Sequence, residues 1–408
     1  MSLERLQPHL EAELSDMAAR GVIKGREKVL TGILPAKGSR GPRYTIDGYG
    51  DKAFLRMNAN AYLGLSLAPE VIRAEEAAAK RFGAGPGAVR FISGTWQPHV
   101  ALEEALARFH HREAAMIFSA AYAAVMGVVT PLISPDTIVL SDELNHNCII
   151  NAVRLSRPKE KGVYRHLDMD DLSARVKAAV GRAGHLLIIT DGIFSMRGDH
   201  APLDIIGRIA GEHDADFARG VSVLVDDSHG VGAFGETGRG TEEYTGAQGV
   251  DMIVATLGKA LGVNGGYITA SATVIDYLRE TSPFYIYSNP ITPAEAAAAL
   301  AALEILDSER GRELLHRLRR LTRRFEQGLA SQGVEIIPGE HPVVPVMIRD
   351  TAKTAALVSY LLENGVLATG LNYPVVPRGA EEIRFQVSAE HTEADIDEVL
   401  DILARYRR

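Results

Sequence analysis

With 408 residues, the chain is too long for one ordinary core and has room for two or three compact units. Hydrophobic residues make up 46% and charged residues 24%, the balance of a soluble globular protein; a net charge of -8 argues against nucleic acid or an anionic membrane as the main partner. A single cysteine, Cys148, excludes an internal disulfide and fits a reducing, cytoplasmic compartment.

The opening stretch MSLERLQPHLEAELSDMAARG is charged and periodic, a helix without the apolar centre of a signal peptide. Turn-rich sequence with short strands continues to residue 59. From Asn60 to Asn289, apolar β-type runs alternate with helical patterns, as in a mainly parallel sheet wrapped by helices. The most apolar stretch, AAYAAVMGVVTPLI, is interrupted by Gly127 and Pro131 and falls short of the ~20 residues a membrane helix requires. After SNPITP comes a long helical segment, then shorter strands and helices. The expected organisation is an N-terminal helix with short strands (1–59), a large α/β domain (60–289) and a smaller α+β C-terminal domain (290–408).

Four apolar runs, DTIVLSDELNH, GHLLIITDGIFS, VSVLVDDSHG and DMIVATLGK, each end in a polar cluster. The clusters are Asp142 to His146, Asp191 to Ser195, Asp226 to His229 and Thr256 to Lys259. Strands commonly end in polar turns, which accounts for one or two clusters but less readily for four carrying Asp, His and Lys. If the strands are parallel, the clusters gather at one edge of the sheet, where open α/β sheets bind ligands.

Lys259 stands among glycines and small residues in TLGKALGVNGGY. A lysine attacks carbonyls where its surroundings favour the neutral amine, and the commonest use is a Schiff base with pyridoxal phosphate (PLP). The PLP ring nitrogen needs an acidic partner, worth ~1–3 pKa units for a close pair. Asp226 is the candidate, with Asp227 a structural neighbour. Ser195 and His229 suit the phenolic oxygen, and His146 suits the ring face. In FSAAYAAVMG a loop of small residues enters a helix, so the amides of Ala121 and Tyr122 suit the phosphate. Thr256 adds a hydroxyl. GVGAFG (Gly230, Gly232, Gly235) matches a dinucleotide fingerprint, but DDSH precedes its first glycine and turn-like sequence follows, so the match is set aside. His110 and His111 are adjacent and point to different helix faces, so no metal site is expected.

TLGKALG, VDDSHGVG, TDGIFSMRGDHAPL, SDELNHNCII, NAYLGL and GAVRFISGT resemble the motifs of the α-oxoamine synthases, over nearly the whole chain. AVRFISGT, DELNH, YPVVPRG and IRFQVSAEHT are similar to the 2-amino-3-ketobutyrate CoA ligase (glycine C-acetyltransferase) branch. The resemblance implies a fold-type I PLP-dependent transferase: a mainly parallel seven-stranded sheet with flanking helices, plus a smaller α+β C-terminal domain. It implies a Claisen-type condensation of an amino acid with an acyl-CoA, decarboxylative or not. In this branch glycine and acetyl-CoA give 2-amino-3-oxobutanoate and CoA. It further implies a homodimer with shared active sites.

By the same resemblance, Lys259 holds the cofactor and removes the α-proton, Asp226 pairs with the ring nitrogen, and His146 stacks on the ring. Ser195 and His229 bind the phenolic oxygen. Ala121, Tyr122, Thr256 and Ser288 bind phosphate, with Ser288 from the second subunit. Arg384 binds the substrate carboxylate, with Asn60 near it; without the resemblance, Arg384 in EEIRFQ reads as a surface ion pair. Departures from the family pattern at Ala61, Val125, ALGVNGGY and EHDADFARG are expected to bear on the substrate rather than the chemistry. An apolar Val89 offers a serine hydroxyl no hydrogen bond, which favours glycine. The alternatives are another α-oxoamine synthase (serine palmitoyltransferase-like, or using alanine or a longer acyl-CoA), a PLP lyase or aminotransferase, and a nicotinamide-dependent oxidoreductase.

Overall fold

Seven short runs rich in Val, Ile and Leu assemble into the sheet that carries the site. They are β1 (Ala114–Phe118), β2 (Thr137–Asp142), β3 (Glu160–Tyr164), β4 (His185–Asp191), β5 (Val221–Asp226), β6 (Met252–Thr256) and β7 (Gly266–Ala270). Their spatial order is β1-β7-β6-β5-β4-β2-β3. From β6 to β3 every neighbouring pair is parallel, and β7 runs antiparallel to both β1 and β6. This matches the mainly parallel seven-stranded sheet that the sequence resemblance implies. The computed structural model describes residues 2–20, 22–23, 26–373 and 375–406, so Pro374 of YPVVPRG lies outside the described residues.

Both faces of the sheet are covered. Along β4, Leu187 and Ile189 pack into one apolar cluster, while Leu186 and Ile188 pack into the other. Along β5, Leu224 joins the first cluster, and Val221, Val223 and Val225 join the second. This is why the sequence reads as continuous apolar runs rather than alternation. A one-residue slip therefore loses little hydrophobic burial, and register must be fixed elsewhere. The strand ends do so: Asp191 lies opposite Asp226. The Gly192 and Asp227 amides donate to the Asp226 and Val254 carbonyls, both at 2.8 Å. Sliding either strand would carry an aspartate into an apolar layer, at a cost of several kcal/mol, roughly, for an unpaired buried charge.

Residues 60–320 and 339–342 form this unit, and residues 1–59, 321–338 and 343–408 form a second. Residues 290–320, placed by the sequence reading with the C-terminal domain, thus group with the sheet. The cause is helix Pro293–Leu306, whose alanines at 294, 296, 298, 299 and 302 are buried. It packs on helices Pro69–Phe82 and Gln97–Phe109. Its start is fixed by a capping box: the Glu295 amide donates to Thr292 Oγ1 (3.0 Å) and the Thr292 amide to Glu295 Oε2 (2.7 Å).

In the second unit, strands Val343–Met347, Glu382–Gln386 and Thr369–Leu371 form an antiparallel sheet. Leu55–Arg56 pairs in parallel with Val366–Leu367. Arg43 Nη2 meets the buried Asp395 carboxylate at 2.7 Å, tying the early strand Arg43–Ile46 to helix Glu393–Tyr406. Residues expected as a separate N-terminal region are therefore integral to the C-terminal unit. Among the described residues, no helix is long and apolar enough to cross a membrane.

Candidate active site

Because β2, β4, β5 and β6 are parallel, their carboxyl ends open at one edge, around a cavity of about 260 Å³. His146 and Cys148 come from the turn and helix start that follow β2, and Asp191, Ile193 and Ser195 come from the end of β4 and the loop after it. Asp226, Ser228 and His229 come from β5 and its turn, and Thr256 and Lys259 follow β6. Ala121 and Tyr122 complete the lining from the first turn of helix α1 (Ala121–Leu132). All four polar clusters singled out in the sequence thus meet.

The α1 terminus reaches the cavity because β7 begins with Gly266. A Cβ there would lie 2.4 Å from the Ala121 nitrogen and 2.3 Å from its Cα. The first amides of α1 have no carbonyl partner within the helix, and the cap residue Ala120 supplies no side-chain bond. A helix start of this kind favours an anion. Thr256 is less free: its hydroxyl donates to the Gly265 carbonyl (3.1 Å) and accepts from the Gly258 amide (3.0 Å). To donate to a phosphate it must turn away from Gly265.

The floor of the cavity is acidic. Asp226 Oδ1 accepts from the Ser228 amide at 3.1 Å, and Asp191 Oδ2 accepts from the His146 amide at 2.9 Å. Burial, then the negative charge of Asp226, holds the Asp191 carboxyl well above its ordinary range, partly opposed by the His146 amide and by Lys259. A buried carboxylate pair suits a ligand bringing positive charge, such as a protonated ring nitrogen.

His146 caps helix α2 (Asn147–Ser156): the Cys148 amide donates to its Nδ1 at 3.3 Å. An amide N–H only donates, so Nδ1 is an acceptor there and the neutral ring carries its proton on Nε2. Surrounding protein pushes the His146 pKa down; Asp226 opposes this and Lys259 adds to it. Cys148 Sγ lies 2.9 Å from His146 Nδ1 and 3.6 Å from Asp226 Oδ2. The tyrosine hydroxyl of Tyr122 donates to Asn147 Oδ1 at 3.0 Å, and its ring meets His146 edge-on, 6.4 Å between centroids. On the other side, His229 Nδ1 is 2.7 Å from the Tyr62 hydroxyl, and its carbonyl is 2.9 Å from His341 Nε2.

Eight expected residues therefore share the cavity: Ala121, Tyr122, His146, Ser195, Asp226, His229, Thr256 and Lys259. Three do not line it. Asn60 is linked to it through Tyr62, whose hydroxyl lies 3.4 Å from Asn60 Oδ1. Ser288 is half-buried, its hydroxyl 3.4 Å from the Asn289 carbonyl. Arg384 belongs to the other unit, on strand Glu382–Gln386. There, with the Gln386 amide oriented by its hydrogen bonds, the Gln386 oxygen accepts from Arg384 Nη2 (2.6 Å) and Nε (2.7 Å).

Sequence reasoning gave no role to Tyr62 or Cys148. The signal for Cys148 was its place two residues after His146 at a helix start; no local signal ties Tyr62 to a histidine 167 positions away. Two departures are also corrected. Val125 is fully buried in the apolar cluster containing Phe118 and Ile268, and does not line the cavity. The segment EHDADFARG forms a short turn at Asp214–Asp216 ahead of β5, at the opposite end of the strand from the site. The glycines of GVGAFG have separate structural causes: a Cβ would lie 2.4 Å from the Ala260 Cβ at Gly232, 2.3 Å from Glu243 Oε2 at Gly235 and 2.1 Å from the Asp227 carboxylate at Gly230. The carboxylate accepts from the Thr241 amide (2.7 Å) and hydroxyl (2.6 Å). His110 is a core residue, bonded to the Tyr267 hydroxyl at 2.8 Å; burial lowers its pKa to about 3.

Residues 52–403 match the family model described as aminotransferase class I and II. The human mitochondrial 2-amino-3-ketobutyrate coenzyme A ligase is 39% identical over 100% of this chain and 93% of its own length. An 8-amino-7-oxononanoate synthase of Symbiobacterium thermophilum is 40% identical over 90% of this chain and 91% of its own. Among solved structures, the Sphingomonas wittichii serine palmitoyltransferase superposes with a TM-score of 0.88 at 29% identity, covering 99% of this chain and 97% of that one. The chain belongs to the aminotransferase class I and II family and, within that fold-type I PLP family, to the α-oxoamine synthases.

Proposed function

We propose that the protein is a PLP-dependent acyl-CoA:amino acid C-acyltransferase that joins glycine to acetyl-CoA, giving 2-amino-3-oxobutanoate and CoA. The observation that carries the reading is the meeting of Lys259, Asp226 and His146 in one cavity with the α1 amides. These residues fit PLP by their chemistry: an amine for its aldehyde, a carboxylate for its ring nitrogen and a helix start for its phosphate. Bound there, PLP supplies an electron sink that makes a carbanion at the amino-acid α-carbon accessible.

Lys259 would hold the cofactor through its amine, and the same amine would serve as the base for the amino-acid α-proton. Asp226 keeps the ring nitrogen protonated, and Ser195 and His229 bind the phenolic oxygen. Tyr62 holds the His229 ring through Nδ1. The neutral His146 would support the cofactor ring and would offer Nε2–H to an oxyanion developing on the thioester, a common source of rate. Ala121, Tyr122 and Thr256 hold the phosphate, joined by Ser288 of a second copy in a homodimer, and Arg384 binds the substrate carboxylate beside Asn60. The compartment we propose is the cytoplasm.

The second reading is another α-oxoamine synthase, with serine, alanine or a longer acyl group. The similar identity to a 2-amino-3-ketobutyrate ligase and an 8-amino-7-oxononanoate synthase favours keeping it. A panel of amino acids and acyl-CoA esters, read by free CoA release, separates the two. Release with glycine and acetyl-CoA above all other pairs is expected; release with serine or alanine and a long-chain ester, but not with that pair, overturns the substrate.

A further inference from the structure

His166 follows β3 and plays no part in the chemistry above. Its imidazole is 14% exposed and lies between two carboxylates: Nδ1 is 2.9 Å from Asp142 Oδ1, and Nε2 is 3.3 Å from Asp199 Oδ2. A neutral imidazole has one N–H, so it can donate to only one of them; bonded to both, the ring is an imidazolium. Phe194 meets it edge-on, 4.4 Å between centroids.

Each carboxylate is joined to a segment that lines the cavity. Asp142 ends β2 and also accepts from the Leu144 amide (2.9 Å) and the Leu167 amide (3.1 Å), shaping the turn that leads to His146. Asp199 lies four positions beyond Ser195 in the loop after β4, and accepts from Arg197 Nε at 2.7 Å. The Phe194 amide donates to the Asp199 backbone carbonyl at 3.0 Å, so Asp199 is tied to the residue just before Ser195. The charged groups facing the ring are Asp142 from β2, and Asp199 with Arg197 from the loop; neighbouring Arg165 turns to Asp168 at 2.7 Å.

We propose that His166 is a positioning residue: as a cation bridging Asp142 and Asp199, it clamps the loops after β2 and β4 together and so presets His146 and Ser195 in the cavity. The proposal rests on the functional reading only for what those two side chains serve; the clamp is a property of the chain itself. Burial alone would lower the ring's pKa, but hydrogen bonds and charge attraction from Asp142 and Asp199 outweigh it and raise it to about 9. The clamp therefore holds at neutral pH and releases in alkali.

The test is pulsed hydrogen exchange on the cofactor-free protein and its His166→Gln variant, each rate corrected for intrinsic exchange, with a PLP titration in parallel. At neutral pH, peptides covering 143–147 and 193–200 should exchange about tenfold faster in the variant, as expected for losing one charge-assisted hydrogen bond, while helix Pro293–Leu306 is unchanged. In the wild type the same peptides should speed up as pH rises through about 9, and in the variant they should not. PLP affinity should fall about tenfold in the variant. Unchanged exchange in both loops, or a response confined to one, overturns the clamp. If the variant does not fold, the wild-type pH profile decides, and a flat profile overturns it. If the wild type fails to bind PLP, the functional reading falls, while exchange still judges the clamp.

Discussion

Asp226 is the residue on which the electronics of the site turn, and its surroundings set it apart from its neighbours. Asp191 accepts the His146 amide and Asp227 accepts the Thr241 amide and hydroxyl, so each is committed to the protein. Among the described residues, Asp226 accepts from the Ser228 amide and lies near the more distant Cys148 thiol, and it lines the cavity. Asp226→Asn should lower CoA release by at least about a hundredfold with PLP still bound, because losing a close carboxylate removes ~1–3 pKa units of support from the ring nitrogen. Cys148 is nearly fully buried, and burial, then the charge of Asp226, drives its thiol pKa up. Iodoacetamide at about pH 8 should leave it unmodified in the native protein and modify it in urea, since only the thiolate reacts; intact-mass measurement reads the difference. Asp226 was legible in the sequence because it ends a strand; the thiol's contact with it was not, because 78 positions separate the two.

At the scale of elements, the site depends on how closely α1 can approach β7. Gly266→Ala should push the α1 terminus away, since its Cβ would overlap Ala121 backbone. PLP affinity should fall by about tenfold or more while the urea midpoint shifts modestly, a displaced backbone rather than a lost core group; a fluorescence titration with PLP checks this. The strands that carry the site were readable as apolar runs with polar ends, since a sheet covered on both faces leaves no other pattern. The sequence held no comparable signal for Gly266, whose need arises from a helix start 145 positions earlier. The extent of the large unit was also misread at helix Pro293–Leu306. Composition shows an alanine-rich helix, but not which neighbours its small residues allow to come close.

For the whole molecule, the buried titratable groups set a pH window. His166 has a folded pKa of about 9, above its unfolded value of about 6.5. Its contribution, on the order of 3 kcal/mol, is fully present below about pH 6.5 and is lost as pH rises through about 9. Asp227, raised by burial to about 7, acts with the same sign at lower pH: the folded state holds its proton longer than the unfolded chain. Urea midpoints should therefore fall between about pH 7 and 10 in the wild type, and His166→Gln should narrow to the wild type over that range. The central claim is covalent and concerns one side chain. Borohydride reduction of the holoenzyme, followed by peptide mass spectrometry, should place the phosphopyridoxyl adduct on Lys259, and Lys259→Ala should take up no label. An adduct on another lysine, or full turnover by Lys259→Ala, would contradict the account.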